Sequence, residues 1–228
     1  MSGAGATAGQ RMYEQLRQAI EVGELTASQT LAEEHLASDF GVSRTPVREA
    51  LLRLEQDGLV ARSPRGYRLR TYSYDEIAEI YEARILLEAN AARNAALRHS
   101  ATDALRFRTL LEEMEDLARS GEDRERRVGL NRAYHSAIWE AAGNRTISEL
   151  LVRIHRHSVH HTTLTDDARW TGAQVEHRRI LAAITERDGD LAARLMEDHI
   201  AVGRDLFLSG RLRDASGGGR PDAVDPRA

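Results

Sequence analysis

Between Tyr74 and Gly210 the chain has no proline and no run of alternating apolar and polar residues. A stretch that long, with neither a strand period nor a helix breaker, can bury its apolar residues only as packed helices. Residues 74–99, 102–119, 122–142, 144–164, 170–187 and 190–209 each carry a helical period, with turn signals such as Ser120-Gly121 and Gly143 between them. Joined by short turns, they predict a compact antiparallel helical bundle over residues 74–210, with Thr102 capping the second helix.

The N-terminal third is patterned differently. Met12, Leu16 and Ala19 or Ile20 give a first helical stripe that ends near Val22-Gly23. Thr30-Leu31-Ala32-Glu33 has the form of a capping box, opening a short helix whose Ala32, Leu36 and Phe40 share an apolar face. Gly41 then allows a sharp turn, and a third helix starts at Ser43, with Pro46 in its first turn and Val42 and Val47 at hydrophobic-staple spacing. Val47, Leu51 and Leu54 form its buried stripe, leaving Arg44, Thr45 and Arg48 on the exposed first turns. After Gly58, residues 59–62 and 67–70 flank Ser63-Pro64-Arg65-Gly66 as a hairpin with an arginine near its tip. Thr71 to Asp75 breaks the pattern as a linker.

The fold expected is therefore mainly α. A winged helix-turn-helix of three helices and a two-stranded wing spans 9–71, the all-α bundle spans 74–210, and the Gly/Ala/Ser-rich ends at 1–8 and 214–228 are expected to be disordered.

Composition narrows the chemistry. With no cysteine there is no disulfide, thiolate metal site or thiol nucleophile. No apolar run reaches the ~20 residues of a membrane helix and no secretory signal pattern opens the chain, so a cytoplasmic protein without a membrane partner is expected. The net charge of -4 argues against nonspecific coating of nucleic acid. Residues 43–70 nevertheless hold seven arginines against three acids, a local charge of +4 where the third helix and the hairpin lie. Two guanidiniums one turn apart at a helix N-terminus suit phosphates and guanine edges in a major groove; two solvated arginines are the plainer alternative.

The string Val42-Ser43-Arg44-Thr45-Pro46-Val47-Arg48-Glu49-Ala50-Leu51, followed by Arg53-Leu54-Glu55, Gly58-Leu59-Val60 and Arg65-Gly66, resembles the winged helix-turn-helix of the GntR family of bacterial transcription regulators. The resemblance implies that Arg44 and Arg48 contact operator bases and that Thr45 meets phosphate or base edges. Ser43 opens that recognition helix, and Arg65-Gly66 is placed near the minor groove. One departure is Glu34, where many members carry arginine; an acid there repels phosphate.

In the bundle, Asn131 and His135 are i, i+4 neighbours, while His177 and His199 lie on later helices. Three imidazoles and an amide oxygen brought together would hold a divalent transition metal with positions left open; structural histidines are the alternative. Arg84-x-x-Leu87-Glu88, Asn131-x-x-x-His135, Ala142-Gly143-Asn144, His177-x-x-Ile180 and Met196-x-x-His199 resemble the FCD effector domain of the FadR subgroup of GntR regulators. That resemblance matches Asn131, His135, His177 and His199 to metal ligands, with zinc expected before nickel. It also puts Arg84 near an effector carboxylate, whereas a salt bridge to Glu88 is the competing role. Asparagine stands where the family more often has aspartate, so the metal charge is left uncompensated and an anionic effector is favoured. His155, His157, His160 and His161 form a second group, read as a second metal site, pocket lining or a solvated face. Trp139 and Trp170 are expected as packing or pocket walls.

The function expected is a homodimeric, sequence-specific regulator, acting as a repressor on a palindromic double-stranded operator and controlled by a small organic or sugar acid at a metal-containing pocket. It is not expected to be an enzyme. The alternative, a metal-dependent hydrolase or lyase with a DNA-binding appendage, has Glu176 as its one obvious acid-base candidate.

Overall fold

A computed structural model describes residues 7–120, 124–158 and 167–216. Helix α1, Ala8–Glu21, is capped by Thr7, whose hydroxyl accepts from Gln10 N at 3.1 Å. It lays Met12, Tyr13, Leu16 and Ile20 on the first core. Helix α2, Glu33–Asp39, and helix α3, Arg44–Gln56, are joined through Gly41, whose φ of 61° is a conformation that glycine adopts without strain. Val47, Leu51 and Leu54 of α3 are fully buried against α1, as their spacing predicts. Gly58 at φ 72° ends that helix, and Leu59 N donates back to Leu54 O at 2.9 Å.

The wing is an antiparallel pair, β1 Val60–Ser63 and β2 Gly66–Leu69, in the register Val60 to Leu69 through Ser63 to Gly66. Its outer partner was not evident from sequence. Leu31 forms a bridge with Tyr67, donating to its carbonyl at 2.7 Å and accepting from its N–H at 3.0 Å. This overturns the expected capping box: the backbone at Leu31 is drawn into the ladder, and α2 starts after Ala32 with no side-chain cap. Ser43 does occupy the N-cap of α3, yet its hydroxyl accepts no cap hydrogen bond. Phe40, expected on the apolar face of α2, is 38% exposed because it lies past the last turn of that helix.

Six helices follow. Helix α4, Tyr74–Arg98, opens with a complete capping box in which Glu76 N donates to Ser73 Oγ at 3.1 Å and Ser73 N donates to Glu76 Oε2 at 2.8 Å. Then come α5 Ala101–Ser120, α6 Arg124–Ala141, α7 Arg145–Ser158, α8 Asp167–Thr185 and α9 Gly189–Ser216. The cap of α5 is Ser100, which exchanges hydrogen bonds with Asp103, and not Thr102. Helix α4 is the hub, packed against α6, α7, α8 and α9; its buried Ala91, Ala92, Ala95 and Ala96 let neighbouring helices approach closely. Ala8 is already helical and α9 runs on to Ser216, so both expected tails are shorter where they are described.

The two cores are separate clusters, and polar contacts join them. Tyr72 OH donates to Gly58 O at 3.0 Å, Gln18 of α1 bonds Glu125, and buried Glu21 at the end of α1 is shared between Arg17 and Arg132 of α6.

Gly66 sits at φ 133°, and a Cβ there would stand 2.6 Å from Leu31 O. Gly66→Ala should therefore destabilise the wing by about 2–3 kcal/mol, through strain and loss of the Leu31–Tyr67 bridge. Urea unfolding followed by tyrosine fluorescence measures it; a midpoint equal to that of the parent protein refutes the role assigned to Gly66.

Candidate metal centre and nucleic-acid interface

The arginines between residues 43 and 70 divide into two groups. Arg44 reaches Glu33 at 3.4 Å, Arg53 bonds Gln10 and lies over the Tyr13 ring, Arg62 reaches Glu55 at 3.1 Å, and Arg70 reaches Glu76 at 3.0 Å. Arg48, Arg65 and Arg68 are exposed without a protein partner among the described residues. Ser43, Arg44, Thr45 and Arg48 all lie exposed at the start of α3, while Arg65 and Gly66 form the wing turn. Such an arrangement presents unneutralised guanidiniums at a helix N-terminus and at a hairpin tip, both of which suit a phosphate backbone. Glu34 is also exposed, on α2.

The second site is internal. His135 on α6, His177 on α8 and His199 on α9 each bring one ring nitrogen within 4.8 Å of the other two. Ring centroids are 5.8 Å apart for His135 and His177, 5.3 Å for His135 and His199, and 4.7 Å for His177 and His199. Nitrogens bound to one zinc ion at ~2.1 Å lie roughly 3.5 Å apart, so closing on an ion requires a contraction of at most about 1.3 Å.

Each imidazole is held from behind. His135 Nδ1 is 2.7 Å from Glu88 Oε2, and His199 Nδ1 is 2.6 Å from Glu176 Oε2. Gln174 donates its amide to Trp170 O at 3.1 Å, which leaves Oε1 to accept from His177 Nδ1 at 3.5 Å. A carboxylate or amide oxygen at Nδ1 places the proton there and leaves Nε2 with its lone pair for a metal. Tyr134 fixes the His177 segment further, donating to the His177 carbonyl at 3.1 Å.

Both carboxylates are shared with arginine. Glu88, fully buried, accepts from Arg84 at 2.9 Å as well as from His135; Glu176 accepts from both terminal nitrogens of Arg169, at 3.0 and 3.3 Å. Burial raises the Glu88 pKa, but the Arg84 and His135 charges outweigh it and hold the group well below the usual carboxylate range. Burial likewise opposes ionisation of Glu176, and His199 and Arg169 overcome it. His177 is pushed well down by burial, then by the charges of His199, His135 and Arg169. His199 is lowered by burial against the pull of Glu176. Neutral imidazoles are the form a metal binds.

A metal fits this donor set. His177 Nε2 is buried with no hydrogen-bond partner among the described residues, a cost that an ion would remove. Asn131, one turn before His135 on α6, is buried on the same helix and supplies the fourth candidate donor. Of the two roles open to Arg84, the structure displays the salt bridge to Glu88. Glu176, the acid-base candidate of the enzymatic alternative, is committed to Arg169 and His199.

Of the second histidine group, His160, His161 and the side chain of His157 lie outside the described residues. His155 is buried 6.0 Å from the His135 ring and 5.5 Å from Trp139, and burial pushes its pKa well down. With Trp139, Arg132, Arg17 and Glu21 it lines a cavity of about 280 Å³ between α1 and the α6–α7 pair. Trp139 thus packs and walls a cavity, while Trp170 is core, with Arg127 over its ring at 5.8 Å. Sequence reasoning missed the roles of Glu88, Glu176, Gln174 and Arg169. Glu88 lies one turn after Arg84, and that spacing names only the pair. Glu176 adjoins His177 yet faces a histidine from a different helix.

Comparison with known proteins agrees with both halves. The model for bacterial regulatory proteins of the gntR family matches residues 8–66, and the model for the FCD domain matches residues 79–202. YdhC of Bacillus subtilis (strain 168), an uncharacterized HTH-type transcriptional regulator, is 29% identical over 83% of this chain and 86% of its own. YieP of Escherichia coli (strain K12), another uncharacterized HTH-type transcriptional regulator, is 32% identical over 79% of this chain and 87% of its own. Among solved structures, E. coli McbR/YncC superposes with a TM-score of 0.80 over 90% of this chain and 99% of that one, at 21% identity, a likeness of fold alone. These relatives are transcription regulators and not enzymes. With a winged helix-turn-helix in front and an FCD bundle holding a three-histidine cluster behind, the chain belongs to the GntR family of transcription regulators, in its FCD-bearing FadR subgroup.

Proposed function

We propose that this regulator is a homodimeric repressor that reads a palindromic operator and is switched by a small organic or sugar acid at a metal in its helical domain. Arg44 and Arg48 read base edges, Thr45 and Ser43 meet the backbone at the start of the recognition helix, and Arg65 and Gly66 place the wing beside the minor groove. Arg48 has no internal partner to give up, whereas Arg44 leaves Glu33 to bind. In the bundle, Asn131, His135, His177 and His199 hold a divalent transition metal, zinc first, which when bound supplies a Lewis-acid site for a carboxylate oxygen. Glu88 and Glu176 keep two of the imidazoles in the ligating tautomer, and an effector that reaches Arg84 shares it with Glu88.

The observation that carries the regulatory half is the fully buried Nε2 of His177, without a partner among the described residues, in a cluster whose three Nδ1 atoms are already engaged. The ligand set, three imidazoles and an amide, is neutral, so an anion entering the site meets an uncompensated positive centre. Coupling to DNA follows if that anion binds the operator-competent and operator-incompetent arrangements with different affinity.

Two experiments test the two halves. Arg48→Ala should weaken operator binding by ~1–3 kcal/mol and relax sequence discrimination, whereas Arg68→Ala should weaken specific and random duplex alike; equal losses in both would remove Arg48 from base readout. His177→Ala should lose metal in elemental analysis of untagged protein and lose the effector response in a mobility-shift assay, with the winged domain still folded. An unchanged effector response would falsify the metal-dependent switch.

A further inference from the structure

We propose that Arg169 anchors the second acidic group of a dicarboxylate effector whose first carboxylate occupies the histidine cluster. This rests on the metal-and-acid reading above and specifies its ligand class. Charge is the first ground. Around the cluster, Arg84 is paired with Glu88 and Arg169 with Glu176, so these four groups cancel. Imidazoles bound to an ion are neutral and Asn131 is an amide, which among the described residues leaves the two positive charges of a divalent ion unmatched inside a buried site. A monocarboxylate neutralises half of that, and a dicarboxylate all of it.

The second ground is a waiting donor. Both terminal nitrogens of Arg169 are held by Glu176, which fixes the guanidinium plane, while Nε is buried with no acceptor among the described residues. An orphaned guanidinium N–H is costly, and a second carboxylate satisfies it with a charge-assisted hydrogen bond. Position is the third. Glu176 bridges Arg169 to His199, so the guanidinium is one carboxylate away from the cluster. Across the bundle, Arg84 lies 5.2 Å from the centre of the Tyr81 ring, and the charges of both arginines act on Tyr81. Gly203, one turn beyond His199 on α9, offers no side chain towards Tyr81, and a Cβ there would meet only that ring at 3.8 Å. A ligand longer than acetate therefore has polar anchors at two ends and no bulky side chain from position 203.

The test uses full-length, zinc-loaded protein titrated calorimetrically with acetate and with malonate or succinate, alongside zinc content. The parent protein should bind one of the diacids at least about ten-fold tighter than acetate. Arg169→Gln should keep its zinc and its acetate affinity and lose that preference. Should R169Q release zinc, Arg169→Lys, which keeps a cation beside Glu176 but has no Nε, is measured by the same criterion. A diacid preference that survives in a zinc-retaining variant overturns the role of Arg169, and a zinc-loaded parent with no diacid preference overturns the ligand class. A parent that binds no zinc instead overturns the metal reading, and this inference with it.

Discussion

A carboxylate with no access to water holds the helical domain's interior in order. Glu88 is fully buried on the central helix, and an unpaired charge at such depth would cost several kcal/mol. Its two oxygens are taken by Arg84 on its own helix and by His135 on α6, so the same group neutralises a buried cation and orients an imidazole. Glu176 repeats the device with Arg169 and His199. The two triads approach the cluster from different helices. Removing either acid therefore frees a histidine and strands an arginine in one step, which ties the packing of four helices to the chemistry at their centre.

That arrangement also separates two demands on the site. Ligand side chains that are all neutral bind a cation less tightly than a set containing aspartate, a cost that Asn131 would carry in the ligand set proposed above. The negative charge that is present sits one bond network further out, already matched to arginine. Among the described residues, the carboxylates and arginines around the cluster thus cancel in pairs without an ion.

Much of the fold was legible because its signals are local. The absence of proline and strand alternation from 74 to 210 fixes an all-helical bundle. Val47, Leu51 and Leu54 mark the buried face of the recognition helix. Errors arose where a distant partner outbid a local one. Thr30 and Glu33 have capping-box spacing, but Leu31 is claimed by Tyr67, thirty-six positions later, and the helix starts beyond the reach of that box. Asn131, His135, His177 and His199 were found by type and order, and the structure brings the three histidines together. The Arg84–Glu88 pair was legible from its spacing, but Arg169 and the hold of Glu88 and Glu176 on the histidines escaped, because only the packing of α4, α6, α8 and α9 shows what each one faces.

Helix α6 carries neighbours with opposite allegiances. Asn131 and His135 serve the interior, and Arg132 reaches across to Glu21 at the end of α1, the helix on which the winged domain's core is built. Adjacent positions on a helix point about 100° apart, and a rigid rod cannot roll one flank while holding the other still. Any roll or slide of α6 that draws its donors inward thus displaces the clasp on α1 as well, so a change of ångström scale at the bundle's heart arrives at the winged domain as a tug on Glu21 and on Gln18, which Glu125 of the same helix holds.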